Sequence, residues 1–257
     1  ELVDVHRFVN VWEKTASLAL RYGRTDVIDT YAEHGRVIGG ESEEMIDAAY
    51  TAWRTDTLDG RASVLVTDSN ESVQALNNRA RADLILDGTV NARREVELHD
   101  GTRAAAGDTV ITRRNDRRLR AGRSWVRNGD RWTVTEVRDD GALTLHRAGR
   151  TWGASVVVPA EYAAEHLDLG YAVTAHRAQG LTVDTAHVLV EPATTRENFY
   201  VAMTRGAQSN QAYVILDRAD DDHTEPHPSD NPDASSRSVL YGGVQHSGAE
   251  LSAHETI

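Results

Sequence analysis

The chain of 257 residues carries 40 acidic against 28 basic residues, a formal net charge of −12, and no cysteine. The missing thiols exclude disulfides, thiolate zinc sites and cysteine nucleophiles, and the acidic balance argues against a generic nucleic-acid coat protein. The length allows one or two domains with a sizeable core. No run approaches the roughly 20 apolar residues a membrane helix needs, and no signal-peptide pattern opens the chain, so a soluble cytoplasmic protein is expected.

The charge is unevenly spread. Residues 101–150 hold twelve arginines against six acids, while the rest is acidic. Lys14 is the one lysine and sits in Trp12-Glu-Lys-Thr15 with no glycine-rich loop before it, which removes it as a phosphate-loop lysine.

The sequence starts at Glu1 directly in apolar-patterned residues and reads as part of something longer. A short strand or turn and then a helix closed by Gly23 are expected first, followed by a small helix over 26–34 and a Gly39-Gly40 turn. Residues 41–53 place Met45, Ile46, Ala49 and Trp53 at helical spacing, a packing helix. Residues 62–67 are a short apolar strand and 70–86 a helix with Val73, Leu76, Ala80 and Leu84 on one face, capped by Ser69 or Asn70. Strand, turn and helix in that order make one unit of a parallel sheet.

From about residue 95 the period changes to two. Strands are expected over 108–112, 131–137, 142–146 and 154–158, with turns at Asn128-Gly-Asp130 and Asp139-Asp-Gly141, forming a small antiparallel barrel or meander. Asn128 and Gly129 both tolerate positive φ, a hairpin signal. Arg113, Arg114, Arg117, Arg118, Arg120 and Arg123 crowd the first loop beside Trp125 and Trp132. Arginine with aromatic rings suits a single strand, charge for the backbone and rings for the bases.

The chain is organised around residues 169–207. Tyr171-Ala-Val-Thr-Ala-His-Arg-Ala-Gln-Gly180 comes first, then a buried strand at 186–190, then a helix over 197–204 whose end carries Arg205. On an extended segment Thr174 and His176 would share one face and could hold a nucleic-acid backbone. Gly180 allows a sharp turn after Gln179, and an arginine at Arg205 can fork two hydrogen bonds onto a phosphate. Residues 211–217 form a last buried strand. Beyond them lie Asp220-Asp-Asp222, Pro226, Pro228 and Ser/Asn/Gly-rich sequence, expected to be disordered or a linker; His223 and His227 belong to that polar tail rather than to a metal site.

The run TAHRAQGLTVD followed by YVAMTRGAQ resembles motifs V and VI of superfamily 1 DNA helicases in their RecD-like branch, which includes the helicase half of conjugative relaxases of the TraA and MobF type. GDTVITRRND with VRNGDRWTV resembles the SH3-like 2B insertion of that branch. The resemblance implies an α/β fold, a RecA-like parallel sheet flanked by helices with a small SH3-like antiparallel β-barrel insertion and a disordered C-terminal tail. It divides the chain into motor domain 2A (1–94 and 160–217), 2B (95–159) and tail (218–257).

It further implies an ATP-dependent 5′ to 3′ helicase in which Arg205 is the arginine finger and Arg7, at motif IV, a second contact to the γ-phosphate. Gln179 and Gly180 would couple nucleotide to strand. Thr174, His176, Arg113, Arg114, Asn115, Arg117, Arg118, Arg120 and Asn128 would contact single-stranded DNA. ATP and Mg²⁺ would be bound mainly by a first RecA-like motor domain, 1A, because no GxxxxGK[ST] occurs in these residues. This stretch alone would then be inactive. Motif VI departs from the family in reading TRGAQ where TRA and a basic residue are commoner. The alternative is a stand-alone single-strand-binding or regulatory module with a motor-like fold and no catalysis.

Overall fold

In the computed structural model, residues 8–148, 154–216 and 235–246 are described. Helices α1 (Val11–Arg21) and α2 (Val27–Glu33) lead to strand β1 (Val37–Gly40), helix α3 (Ser42–Leu58), strand β2 (Ser63–Thr67) and helix α4 (Asn70–Leu86). Strands β3 (Asn91–Glu97), β4 (Arg103–Ala106), β5 (Thr109–Thr112), β6 (Asp116–Ala121), β7 (Ser124–Val126), β8 (Arg131–Val137), β9 (Leu143–Arg147) and β10 (Ser155–Val158) follow. The chain continues through α5 (Ala160–His166), β11 (Leu167–Leu169), β12 (Ala172–Thr174), α6 (Ala175–Ala178), β13 (Val183–Val190), α7 (Arg196–Ala202), β14 (Gly206–Ile215) and α8 (Ser236–Gln245).

The first sheet has the order β1-β14-β13-β2-β12, every neighbouring pair parallel. Strands buried on both faces read as continuous apolar runs, and each face takes alternate residues. Leu65, Leu189, Tyr213 and Ile215 pack with Met45, Trp53, Leu76 and Leu84 of α3 and α4. Val64, Val66, Val188, Val190, Ala212 and Val214 face the other way, with Leu20, Tyr31, Phe199, Leu240 and Val244 of α1, α2, α7 and α8. Helices therefore cover both sides of the sheet, as a RecA-like fold requires.

The second sheet has the order β10-β9-β8-β5-β11, antiparallel throughout. Its interior, with Val110, Trp132, Val134, Leu143, Leu145 and Val158, is continuous with the α3–α4 side of the first sheet. The antiparallel unit begins before residue 95 with β3 and β4 and takes its edge strand from Leu167–Leu169, past the expected limit of 159. A three-residue strand directly after a helix carries no period of its own, so its sequence could not place it.

Four further expectations are corrected. Asn128-Gly129 does not turn a hairpin: β7 pairs with β6 and β8 with β5 and β9, and Asn128 has no positive φ although Gly129 does, at 82°. The arginine-rich loop is largely the β6–β7 hairpin, whose register shift between Asp116 and Arg120 breaks any period of two. Trp132 is wholly buried and offers no ring to a base. Within the expected tail, Ser235 and Ser238 form a capping box and α8 buries Leu240 and Val244, four residues apart. Arg7, His223 and His227 lie outside the described residues.

Candidate nucleic-acid interface

The segment from Tyr171 to Gly180 is anchored at its start by a buried amide. Asn77, on α4 and 4% exposed, accepts from the backbone N–H of Tyr171 at 3.0 Å and of Ala172 at 2.8 Å, and donates to the Ala172 carbonyl at 3.1 Å. A side chain that satisfies three backbone groups on one strand fixes where β12 begins. The adjacent Tyr171 hydroxyl donates to Asp108 of the antiparallel unit, and Arg81 joins Asp108 at 3.0 Å and Glu95 at 2.5 Å. Burial pushes the Asp108 carboxyl above its ordinary pKa, and Tyr171, the Ala105 N–H and Arg81 offset part of that rise. The two sheets are locked together at Tyr171.

Thr174 and His176 do not share an extended face. Thr174 caps α6, its hydroxyl accepting from the Arg177 N–H at 3.3 Å, while His176 lies on α6 and is exposed. The short N-cap signal overrides the alternation that residues 171–176 otherwise show. Gln179 closes α6, and Gly180 turns with φ of 89°, a conformation that L side chains rarely adopt.

A cavity of about 330 Å³ opens where α6 meets the antiparallel unit, lined by Arg113, Asn128, His176 and Gln179 together with Thr112 and Arg177. Four of the sequence-predicted residues thus converge from three separate segments of the chain. Asp168 is the charge behind them: it is buried, and Arg177 reaches it at 2.7 Å, Arg113 at 3.6 Å and His99 at 3.3 Å. Asn115 accepts from the Asn128 N–H at 2.9 Å, which braces the cavity rim.

The other arginines stand apart. Arg114 faces His166 at 3.0 Å. Arg117, Arg118 and Arg120 project from β6, exposed, with Arg118 paired to Asp116 at 3.0 Å. Arg117 and Arg127 flank the half-buried Trp125 ring, at 5.5 and 5.1 Å from its centre. Asn77, His99, Asp168 and Arg177 escape sequence reasoning because a buried polar partner leaves no periodic trace.

Arg205 follows α7 and is 6% exposed. Its Nε donates to the Val201 carbonyl at 2.6 Å, one Nη to the carbonyls of Ala178 and Leu181 at 3.1 and 3.3 Å, and the other to Thr204 at 2.7 Å. Ala178 and Leu181 bracket Gln179-Gly180, so Arg205 holds the backbone on both sides of that pair directly. The unusual glycine after Arg205 also has a local cause: a Cβ at Gly206 would lie 2.1 Å from the Ser209 carbonyl oxygen. Asn210 closes that tight loop, bonding Gly206 N–H at 2.7 Å and Glu13 at 2.7 Å.

No protein-family model matches the chain. It is 31% identical over 216 residues to the "Probable conjugal transfer protein TraA" of Sinorhizobium fredii, covering 83% of this chain and 19% of that protein. The "Multifunctional conjugation protein TraI" of Escherichia coli is 36% identical over 122 residues, 45% of this chain and 6% of its own length. A Bacteroides Pif1 solved bound to ssDNA superposes with a TM-score of 0.49 at 15% identity, over 81% of this chain and 50% of that one. The chain is a homologue of the conjugal transfer proteins TraA and TraI, matching one segment of them, and its fold is a RecA-like parallel α/β sheet flanked by helices on both faces.

Proposed function

We propose that the chain is the second motor domain of a 5′ to 3′ single-stranded DNA helicase, within a conjugative relaxase-helicase. The observation that carries this reading is the direct bond from Arg205 to the carbonyls flanking Gln179-Gly180. A change at the arginine must pass to the loop that carries Gln179, and from there to the cavity holding His176, Arg113 and Asn128.

In this reading that cavity grips a phosphate of the strand, and the exposed hairpin arginines with Trp125 extend the track. ATP and Mg²⁺ supply the phosphoryl-transfer chemistry that drives movement. By the resemblance, Arg205 would meet the γ-phosphate by exchanging its bonds to the Ala178 and Leu181 carbonyls, with Arg7 as a second contact, and no phosphate loop occurs in the 257 residues. The remaining contacts belong to the first motor domain, which would dock against this one.

The purified chain is therefore expected to hydrolyse no ATP alone. Joined to the first motor domain it should become a DNA-stimulated ATPase that Arg205→Ala disables. Robust magnesium-dependent hydrolysis by the chain alone, abolished by Arg205→Ala, would contradict the assignment. A second reading, a strand-binding module without catalysis, is favoured by the engagement of Arg205 within its own fold; an inactive two-domain assembly with intact strand binding would select it.

A further inference from the structure

A second cavity, of about 610 Å³, lies at the seam between the two sheets. It is walled by the N-terminal ends of β2 and β13, the end of α3, and β8 and β9, and shares only Gly129 with the cavity beside α6. Three guanidinium groups reach its wall. Arg61 is paired with Asp56 and Asp59, and Arg147 grips Asp130 with two N–H groups at 3.1 Å each. Arg131 has no carboxylate partner among the described residues; one Nη donates to the Ser63 carbonyl at 3.0 Å, and its Nε–H is sealed from solvent with nothing to bond.

Trp53 lines the same cavity, is 1% exposed, and its indole N–H is likewise buried without a partner. Both orphaned groups are donors that cannot accept. Buried donors are satisfied in the great majority of folded proteins, and buried charges are paired or neutralised. Burial lowers the Arg131 pKa to about 10, which leaves it cationic at neutral pH. The Arg131 cation, without a carboxylate beside it, therefore suits a negatively charged ligand reached through its outer Nη, in a space larger than one inorganic anion.

We propose that this cavity binds a phosphate-bearing ligand of mononucleotide size, with the phosphate on the Arg131 guanidinium through its outer Nη and the Trp53 indole as a neighbouring reporter. The phosphate can come from a free nucleotide or from the phosphorylated end of a DNA strand. The site is independent of the strand contact beside α6, so each can fail without the other. Gly180 lines it, which places the ligand against the turn that follows motif V.

The test is a titration of the ¹⁵N-labelled 257-residue chain, followed by the indole N–H resonance that Trp53→Phe identifies. Inorganic phosphate, a nucleoside monophosphate, and an oligonucleotide with and without a 5′-phosphate are the probes. The expected result is a saturable shift of that resonance, absent in Arg131→Gln and at least about tenfold weaker in Arg131→Lys, which loses the fork. A shift by the mononucleotide identifies a free ligand; a shift by the phosphorylated but not the unphosphorylated oligonucleotide identifies a strand end. If none of the phosphate probes moves the wild-type resonance beyond what chloride does at equal ionic strength, the proposal falls, and that arm needs no variant to fold.

Discussion

The arginines of the β6–β7 hairpin and those of the first sheet differ in what holds them. Arg117, Arg120 and Arg123 stand in solvent on the hairpin, while Arg205 and Arg177 are tied to carbonyls and to a buried carboxylate. An exposed guanidinium keeps its rotamer freedom and can follow a phosphate wherever the strand runs. A guanidinium bonded to backbone on two sides sets the shape of a loop instead. The chain therefore holds charge for contact in one region and charge for geometry in the other, and substitutions in the two regions should fail in different ways.

The largest effect is expected at Arg205. In an assembly containing the first motor domain, Arg205→Ala should lower ATP turnover by about a thousandfold or more, the range of arginine fingers generally. In this chain alone the same change should speed amide exchange over residues 178–181, because Arg205 now holds the Ala178 and Leu181 carbonyls at the two ends. Arg120→Ala should leave that exchange unchanged. Equal exchange in wild type and Arg205→Ala would remove the positioning role.

Asn77→Ala comes next. It strands the N–H groups of Tyr171 and Ala172 in the interior, and urea unfolding should report a loss of about 3 kcal/mol, since each buried unsatisfied group costs roughly 1–3 kcal/mol. A loss below about 1 kcal/mol would show that β12 is fixed by packing instead.

On the hairpin, stability should hardly move, but binding should. Each lost contact to a single strand lowers the slope of log affinity against log salt by about 0.7, so the pair Arg117→Ala and Arg120→Ala should flatten it by about 1.4. Arg118→Ala should do less, because Asp116 already occupies its guanidinium.

The smallest effect is acid sensitivity at the sheet centre, where His187 bridges Asp56 at 2.8 Å and the Tyr213 hydroxyl at 3.0 Å. Burial raises the Asp56 carboxyl, but the His187 hydrogen bond and the charges of His187 and Arg61 together outweigh it and leave the pKa below its ordinary value. A depressed carboxylate contributes stability above its unfolded pKa and loses it as pH falls through the folded one. The loss should appear below about pH 4. Asp56→Asn, compared by thermal melts across that range, should flatten the acid limb while lowering stability at neutral pH. An unchanged limb would assign the sensitivity elsewhere.

Strong periodicity made much of the fold legible. The α4 helix at Asn70–Leu86 and strand β8 at Arg131–Val137 fall where apolar spacing puts them, with Ser69 as cap. Short elements were not legible: β11 and α6 have three and four residues, too few for a period, and α6 depends on one capping threonine. The site divides in the same way. Gln179, Gly180 and Arg205 stand out in the chain because motif order is a one-dimensional property. Asn77 and Asp168 do not, because each acts on partners that only folding supplies; Asn77 lies 94 residues before the Tyr171 N–H it accepts from. Trp132 shows the converse error, an aromatic among arginines that the fold places wholly inside.

The most direct test of the central claim is the anisotropy of a labelled oligonucleotide, single-stranded and duplex, titrated with the chain across a salt series. Preferential single-strand binding that weakens with salt is expected. It should weaken further when His176 and Arg113, which share the cavity beside α6, are replaced by alanine. Equal affinity for duplex and single strand, or single-strand binding indifferent to both cavity and hairpin variants, would contradict the claim.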